Sequence, residues 1–170
     1  MGNNGDGNLG QNNTTQYSSP VQIPGTTWNQ VYAGNESFLA TKTDGTLWAW
    51  GNNQRGALGQ NDVAARSSPV QIPGTTWATG TRSLSCSDEY AAAIKTDGTL
   101  WMWGDVENGQ LGQNQPTNSD LSSPTQIPGT TWRSVFCGRR NTFATKTDGT
   151  LWSWGYSDRS GVGLLGQGNT

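Results

Sequence analysis

Apolar residues along this chain come in short alternating runs rather than in the three-and-four rhythm of a helix. Leu47-Trp48-Ala49-Trp50, Leu100-Trp101-Met102-Trp103 and Leu151-Trp152-Ser153-Trp154 each sit just after an Asp-Gly pair and end on Gly. A second run, Phe38-Leu39-Ala40-Thr41-Lys42 in the first copy, lies just before it. Strand, Asp-Gly and strand predicts a β-hairpin, because Asp and Gly tolerate the positive φ of a tight turn. Further upstream, Trp28-Asn29-Gln30-Val31-Tyr32-Ala33 is rich in β-formers, and Pro20-Val21-Gln22-Ile23 is a short alternating run that Pro24-Gly25 breaks. Helical periodicity never persists beyond one turn. The pattern predicts four short antiparallel strands per unit, the make-up of a propeller blade.

The units repeat along the 170 residues. Asp-Gly-Thr-Leu-Trp-x-Trp-Gly stands at 44–51, 97–104 and 148–155, and Gln-Ile-Pro-Gly-Thr-Thr-Trp at 22–28, 71–77 and 126–132. Leu-Gly-Gln begins at Leu9, Leu58, Leu111 and Leu165. A period of roughly fifty residues is the mark of a blade array. The chain reads as one segment, 1–170, with units at 15–51, 64–104 and 119–155 and connectors at 1–14, 52–63, 105–118 and 156–170. Trp77 to Asp97 is four residues longer than Trp28 to Asp44 or Trp132 to Asp148, which places an insertion near Thr81–Ser85. Strand segments repeat almost letter for letter while connectors drift, as expected of a scaffold with variable rim loops.

Composition changes this picture in three ways. Few aliphatics and many Gly would suit a disordered chain, but nine Trp, three per unit, contradict that and supply the apolar area instead. Only 13% of residues are charged and the net charge is −2, which argues against a nucleic-acid or membrane partner that binds through a basic surface. There is no His, so Ser-His, Cys-His and His-metal chemistry are excluded. No signal peptide or membrane-length apolar run is recognisable, and the chain reads as soluble with its compartment open.

The run Ala-x-Lys-Thr-Asp-Gly-Thr-Leu-Trp-x-Trp-Gly, then Asn-Asn-x-x-Gly-x-Leu-Gly, then Ser-Ser-Pro and a Trp resembles the RCC1 (regulator of chromosome condensation) repeat over essentially the whole chain. The resemblance implies an all-β propeller of four-stranded blades, of which this chain would form an arc of three. Family members typically close a ring of seven and carry a His near the place of Glu36-Ser37-Phe38, which this chain lacks. Some bind small GTPases, some chromatin, and some bacterial members inhibit enzymes; no basic tail and no long wedge loop supports the first two here. Three blades cannot close a ring, since propellers hold roughly 4–8 and each blade buries its faces only against neighbours. The expectation is a homodimer, two chains head to tail making a six-bladed ring; the rival is a piece of a longer array.

Candidate chemistry is sparse. Asp44, Asp97 and Asp148 are explained by their turns, and the remaining acids show no pairing that suits hydrolysis. Asn3-Asn4-Gly5-Asp6-Gly7-Asn8 lacks the closing Glu of a calcium loop. Cys86 and Cys137 read as buried thiols on strands and the Trp triplets as core. No catalytic residue, cofactor or metal is expected. The contact surface is assigned to drifting connectors and turns, with Arg55, Arg82, Asp105, Glu107, Arg139, Arg140 and Arg159 as binding residues. The expected function is a non-enzymatic binding or structural propeller that offers these loops to a protein or glycan; the alternatives are a catalytic propeller with a site in its central channel and an inert fragment.

Overall fold

In the computed structural model, which describes residues 4–114 and 119–156, eleven strands form three antiparallel sheets without any helix among the described residues. The first sheet comprises β1 (Trp28–Ala33), β2 (Ser37–Lys42), β3 (Leu47–Gly51) and β4 (Arg66–Ile72), paired in that order. The second comprises β5 (Leu84–Cys86), β6 (Tyr90–Ile94), β7 (Leu100–Gly104) and β8 (Leu121–Ile127). The third has three strands, β9 (Trp132–Cys137), β10 (Asn141–Lys146) and β11 (Leu151–Gly155). These are the blades of a propeller arc.

The sheets are offset from the sequence units. Each complete sheet takes its fourth strand from the Ser-Ser-Pro-x-Gln-Ile run after the connector, with Leu47 opposite Ile72 and Leu100 opposite Ile127. The first copy of that run, Pro20–Ile23, is predicted to be a strand but forms none. The reason is topological: β4 and β8 pair with the blade before their connector, and none of the three described sheets stands in that place for Pro20–Ile23. First strands of successive blades touch one another, β1 with β5 and β5 with β9, which puts them at the axis and β4 and β8 outermost. Pro69 and Pro124 fit there, because an outermost strand has one edge that no ladder needs.

The hairpin turn is wider than a two-residue loop. Gly45 N–H donates to Lys42 O at 3.1 Å, and only Gly45, at φ 78°, turns left-handed. This is the turn-plus-bulge form of hairpin. Asp44 serves as an acceptor, taking the Thr46 N–H at 3.0 Å and the Thr46 hydroxyl at 2.7 Å, while Trp48 Nε1–H donates to that same hydroxyl oxygen at 2.8 Å. The staple recurs at Asp97-Thr99-Trp101 and Asp148-Thr150-Trp152. The Thr hydroxyl and then the Thr N–H hold all three carboxyls below the usual carboxylate range.

Blades pack face to face. Leu39, Leu47, Ala49 and Ile72 of the first meet Leu84, Ala93, Trp77 and Trp103 of the second, and an equivalent layer lies between the second and third. Trp50, Trp77, Trp103 and Trp132 are buried, as expected of core. The middle Trp of each blade is not. Trp48, Trp101 and Trp152 lie toward solvent, each under a lysine ammonium: Lys42 at 3.9 Å, Lys95 at 4.0 Å and Lys146 at 4.2 Å from the ring centre. The insertion sits slightly earlier than expected, between Trp77 and Leu84. It ties three blades together, because Thr79 O accepts from Gln30 Nε2 at 2.7 Å and Arg82 O accepts from Val135 N–H at 3.0 Å. Cys86 and Cys137 are half-buried rather than fully buried, with their thiols against Ser37 O and Ser85 O of the preceding blades. Burial pushes the Cys86 thiol up to about 12 and Cys137 up as well.

Candidate functional site

The turns between first and second strands vary while the hairpins they precede repeat. They read Asn35-Glu36 in the first blade, Asp88-Glu89 in the second and Arg139-Arg140 in the third. Because each blade presents this turn at the same end of the arc, the three converge. Between them lies a polar hollow of about 350 Å³, floored by the connectors at Asn52, Arg55 and Glu107.

Its lining carries both signs of charge. Glu36, Asp88, Glu89 and Glu107 line it together with Arg55, Arg139 and Arg140. Arg55 is already engaged: its Nη2 lies 2.9 Å from Glu107 Oε1 and its Nη1 lies 3.4 Å from Asp120 Oδ2. Partial burial works against its charge, but Glu107, Asp120 and Asp105 outweigh that and hold its pKa above the ordinary value. Among the described residues neither Arg139 nor Arg140 forms an ion pair; the Arg140 guanidinium sits 5.8 Å from the Tyr156 ring centre. Two exposed, adjacent guanidiniums thus share this hollow with the carboxylates of the other turns.

Of the residues assigned to binding from sequence, the hollow brings together Arg55, Glu107, Arg139 and Arg140. Asp105 lies beneath it, 2% exposed, where its carboxylate accepts from Gln110 Nε2 at 2.7 Å and from Glu107 N–H at 3.0 Å. Asp105 therefore shapes the connector, as Asn52 does by accepting from Gln54 N–H. Arg82 is elsewhere, at φ 69° in the insertion, with its guanidinium 5.6 Å from the Phe136 ring centre. It lines a separate hollow of about 410 Å³ with Arg133. Arg159 lies outside the described residues. Glu36, Asp88 and Glu89 belong to the site although they were not assigned to it; the signal for them was their position, equivalent to that of Arg139-Arg140. Among the described residues no three His, Cys, Asp or Glu side chains come close enough to hold a metal ion.

Another hollow, about 570 Å³, is apolar and lies on the outward face of the first blade, where Val21, Ile23, Trp28, Val31 and Trp50 surround it. In the second and third blades the same face is covered by the blade before it.

Comparison with known proteins agrees with this architecture. A family model described as regulator of chromosome condensation (RCC1) repeat matches residues 44–94 and 97–145, and a second of the same description matches 28–57, 82–110 and 132–161. The ultraviolet-B receptor UVR8 of Arabidopsis thaliana is 29% identical over 166 residues, 94% of this chain and 37% of that protein. The E3 ubiquitin-protein ligase HERC2 of Homo sapiens is 33% identical over 92 residues, 51% of this chain and 2% of that protein. Human WBSCR16 superimposes with a TM-score of 0.76 at 23% identity, over 92% of this chain and 42% of the other. Yeast RCC1 (Prp20), solved bound to Kap60, does so at 0.68 and 22% identity, over 84% and 35%. The structural likenesses show the fold. This chain spans less than half the length of each of these relatives.

Proposed function

This chain belongs to the RCC1 (regulator of chromosome condensation) repeat family, and on that premise we propose that it is a non-enzymatic binding module whose ring is completed by a second copy of itself. The contact surface is the polar hollow where the three first-to-second strand turns meet, and the partner is a protein or a glycan. One observation carries the reading. Between strands that repeat nearly letter for letter, these turns change from the acidic Asn35-Glu36 and Asp88-Glu89 to the basic Arg139-Arg140, and all three line one hollow. Hairpin residues are explained by folding; these exposed charges are not. Protein binding by a relative of the fold, yeast RCC1 with Kap60, supports a protein partner in kind. The HERC2 match covers too little of that protein to bring its ligase activity with it.

Arrays of acidic and basic peptides, and of anionic and neutral glycans, test the reading with the full chain as probe. The expected result is binding to an acidic or anionic class that Arg139→Ala/Arg140→Ala removes, with the thermal midpoint unchanged. Glu36→Gln/Glu89→Gln, in the same hollow, should leave that class bound. No binding on any array, or binding indifferent to both double variants, overturns the assignment of this surface.

A further inference from the structure

We propose that the two copies are joined by reciprocal strand exchange: Tyr17–Ile23 of each chain becomes the fourth strand on β11 of the other, with Ile23 opposite Leu151. This rests on the second-copy reading above and says how its two junctions are made.

The pairing already exists twice inside the chain. Arg66-Ser67-Ser68-Pro69-Val70-Gln71-Ile72 lies along β3, and Leu121-Ser122-Ser123-Pro124-Thr125-Gln126-Ile127 lies along β7. Both use one register: Ile72 and Ile127 face Leu47 and Leu100, Gln71 and Gln126 face Trp48 and Trp101, and Arg66 and Leu121 face Gly51 and Gly104. Tyr17-Ser18-Ser19-Pro20-Val21-Gln22-Ile23 is the same run a third time and belongs to no sheet. Leu151-Trp152-Ser153-Trp154-Gly155 is the third copy of the receiving strand and has no fourth strand beside it among the described residues. Carrying the register over sets Leu151 against Ile23, Trp152 against Gln22 and Gly155 against Tyr17. The two cannot meet within these three blades, because three blades do not close a ring.

The donor segment is held as its paired copies are. Gln11 Nε2 donates to Gln22 O at 3.0 Å, just as Gln60 does to Gln71 O at 3.3 Å and Gln113 to Gln126 O at 3.0 Å. Trp28 Nε1 donates to Pro24 O at 3.2 Å, as Trp132 does to Pro128 O. The place over Trp50 is filled in the same chain, since its Nε1–H reaches Asn8 O at 3.0 Å. The donor thus lacks only the edge it would pair with.

Both ends of the arc also carry mirror-image exposures. Val31 is 66% exposed, while its counterparts Leu84 and Val135 are 1% exposed. Leu151 is 69% exposed, while Leu47 and Leu100 are at 0%. Between blades, Trp77 N–H donates to Gly45 O and Trp132 N–H to Gly98 O. At the ends of the arc the corresponding groups are Trp28 N–H and Gly149 C=O, one on each side of the proposed junction. Closure also sets the Arg139-Arg140 turn beside the partner's Glu36, so turns of opposite charge share the new junction as Asp88-Glu89 and Arg139-Arg140 share the hollow between the second and third blades. A heterologous contact that closes after two copies avoids open-ended growth.

The experiment is a register-specific disulfide trap on the full chain, run together with light scattering of the unaltered protein. Ile23→Cys and Leu151→Cys in one chain should give a reducible dimer in high yield, because directly opposed strand residues fall within disulfide reach. The slipped pair Gln22→Cys/Leu151→Cys should give less than about a tenth as much, since a one-residue slip turns the side chain to the other face. Each single variant should give none, which also controls for Cys86 and Cys137. Unaltered protein should have twice the 18.2 kDa chain mass. A dimeric mass with no trapping, or with equal trapping of the slipped pair, overturns strand exchange and leaves the second-copy reading standing. A monomeric mass, or one above two chains, overturns both.

Discussion

Leu151→Ala separates a closed ring from an isolated arc. Within one chain Leu151 is 69% exposed, so truncating it there removes little buried surface and costs at most about 0.5 kcal/mol. Its counterparts Leu47 and Leu100 are completely buried, each opposite an isoleucine of the fourth strand. If the partner's Ile23 covers Leu151 in the same way, each junction loses about 1.5–3 kcal/mol of apolar burial on truncation. A two-copy ring has two identical junctions, so the dimer loses about 3–6 kcal/mol. At 1.4 kcal/mol per decade, its Kd rises about 10²- to 10⁴-fold. Sedimentation velocity over a dilution series reads this directly. Leu100→Ala is the companion: it opens a cavity inside the chain and should lower the stability of the chain itself by about 2–5 kcal/mol. A Kd for Leu151→Ala within threefold of the unaltered protein refutes the reasoning, because nothing would then cover Leu151.

Three further outcomes are expected. Asp44, Asp97 and Asp148 have depressed pKa values in the folded state, so their stabilisation is present above the unfolded carboxylate pKa and is lost as pH falls through the folded values. The urea midpoint should therefore hold from pH 7 to pH 5 and drop below about pH 4, less steeply in the triple Asp→Asn variant. Gly98→Ala should cost more than about 1 kcal/mol in urea unfolding, since φ is 78° and a Cβ would stand 2.2 Å from Thr130 O; Gly80→Ala, with open space around it and no positive φ, should be neutral. The Cys86 thiol, raised to about 12 from an ordinary 9.0 by burial, should react with maleimide at neutral pH about 10³-fold more slowly than in urea.

Much of the scaffold could be read from sequence because its signals are local. Asp-Gly between two apolar runs marks a hairpin wherever it falls, and the Trp pair after it marks the strand that follows. The phase of the blades was not local. A cyclic repeat has no intrinsic start, and only the reach of the connector decides that Arg66–Ile72 pairs back onto β3 while Pro20–Ile23 is left over. The tryptophans divided for a similar reason: Trp50 and Trp103 face a neighbouring blade, whereas Trp48 and Trp101 face solvent and are covered by a lysine two residues before the turn. That lysine stood in every copy of the motif.

Equivalent turns differ in charge at Glu36, Asp88-Glu89 and Arg139-Arg140, a signal visible in the repeats, yet only the arginine pair was assigned from sequence. The site was illegible where a charge is consumed by structure. Asp105 resembles a surface acid in a drifting connector, yet its hydrogen bonds with Gln110 and Glu107 bury it. Arg82 resembles the other arginines but turns away with the insertion that binds the first and third blades together.

Backbone hydrogen exchange over Val21–Ile23 needs no substitution and carries its own standards in Val70–Ile72 and Thr125–Ile127, which are strands in the same register. A strand exchanged between copies should protect Val21–Ile23 to a degree comparable with those two segments, and dilution below the dimer Kd should abolish that protection alone. Exchange at Val21–Ile23 at the rate of an unstructured peptide, at concentrations where β4 and β8 are protected, would contradict closure of the ring by strand exchange.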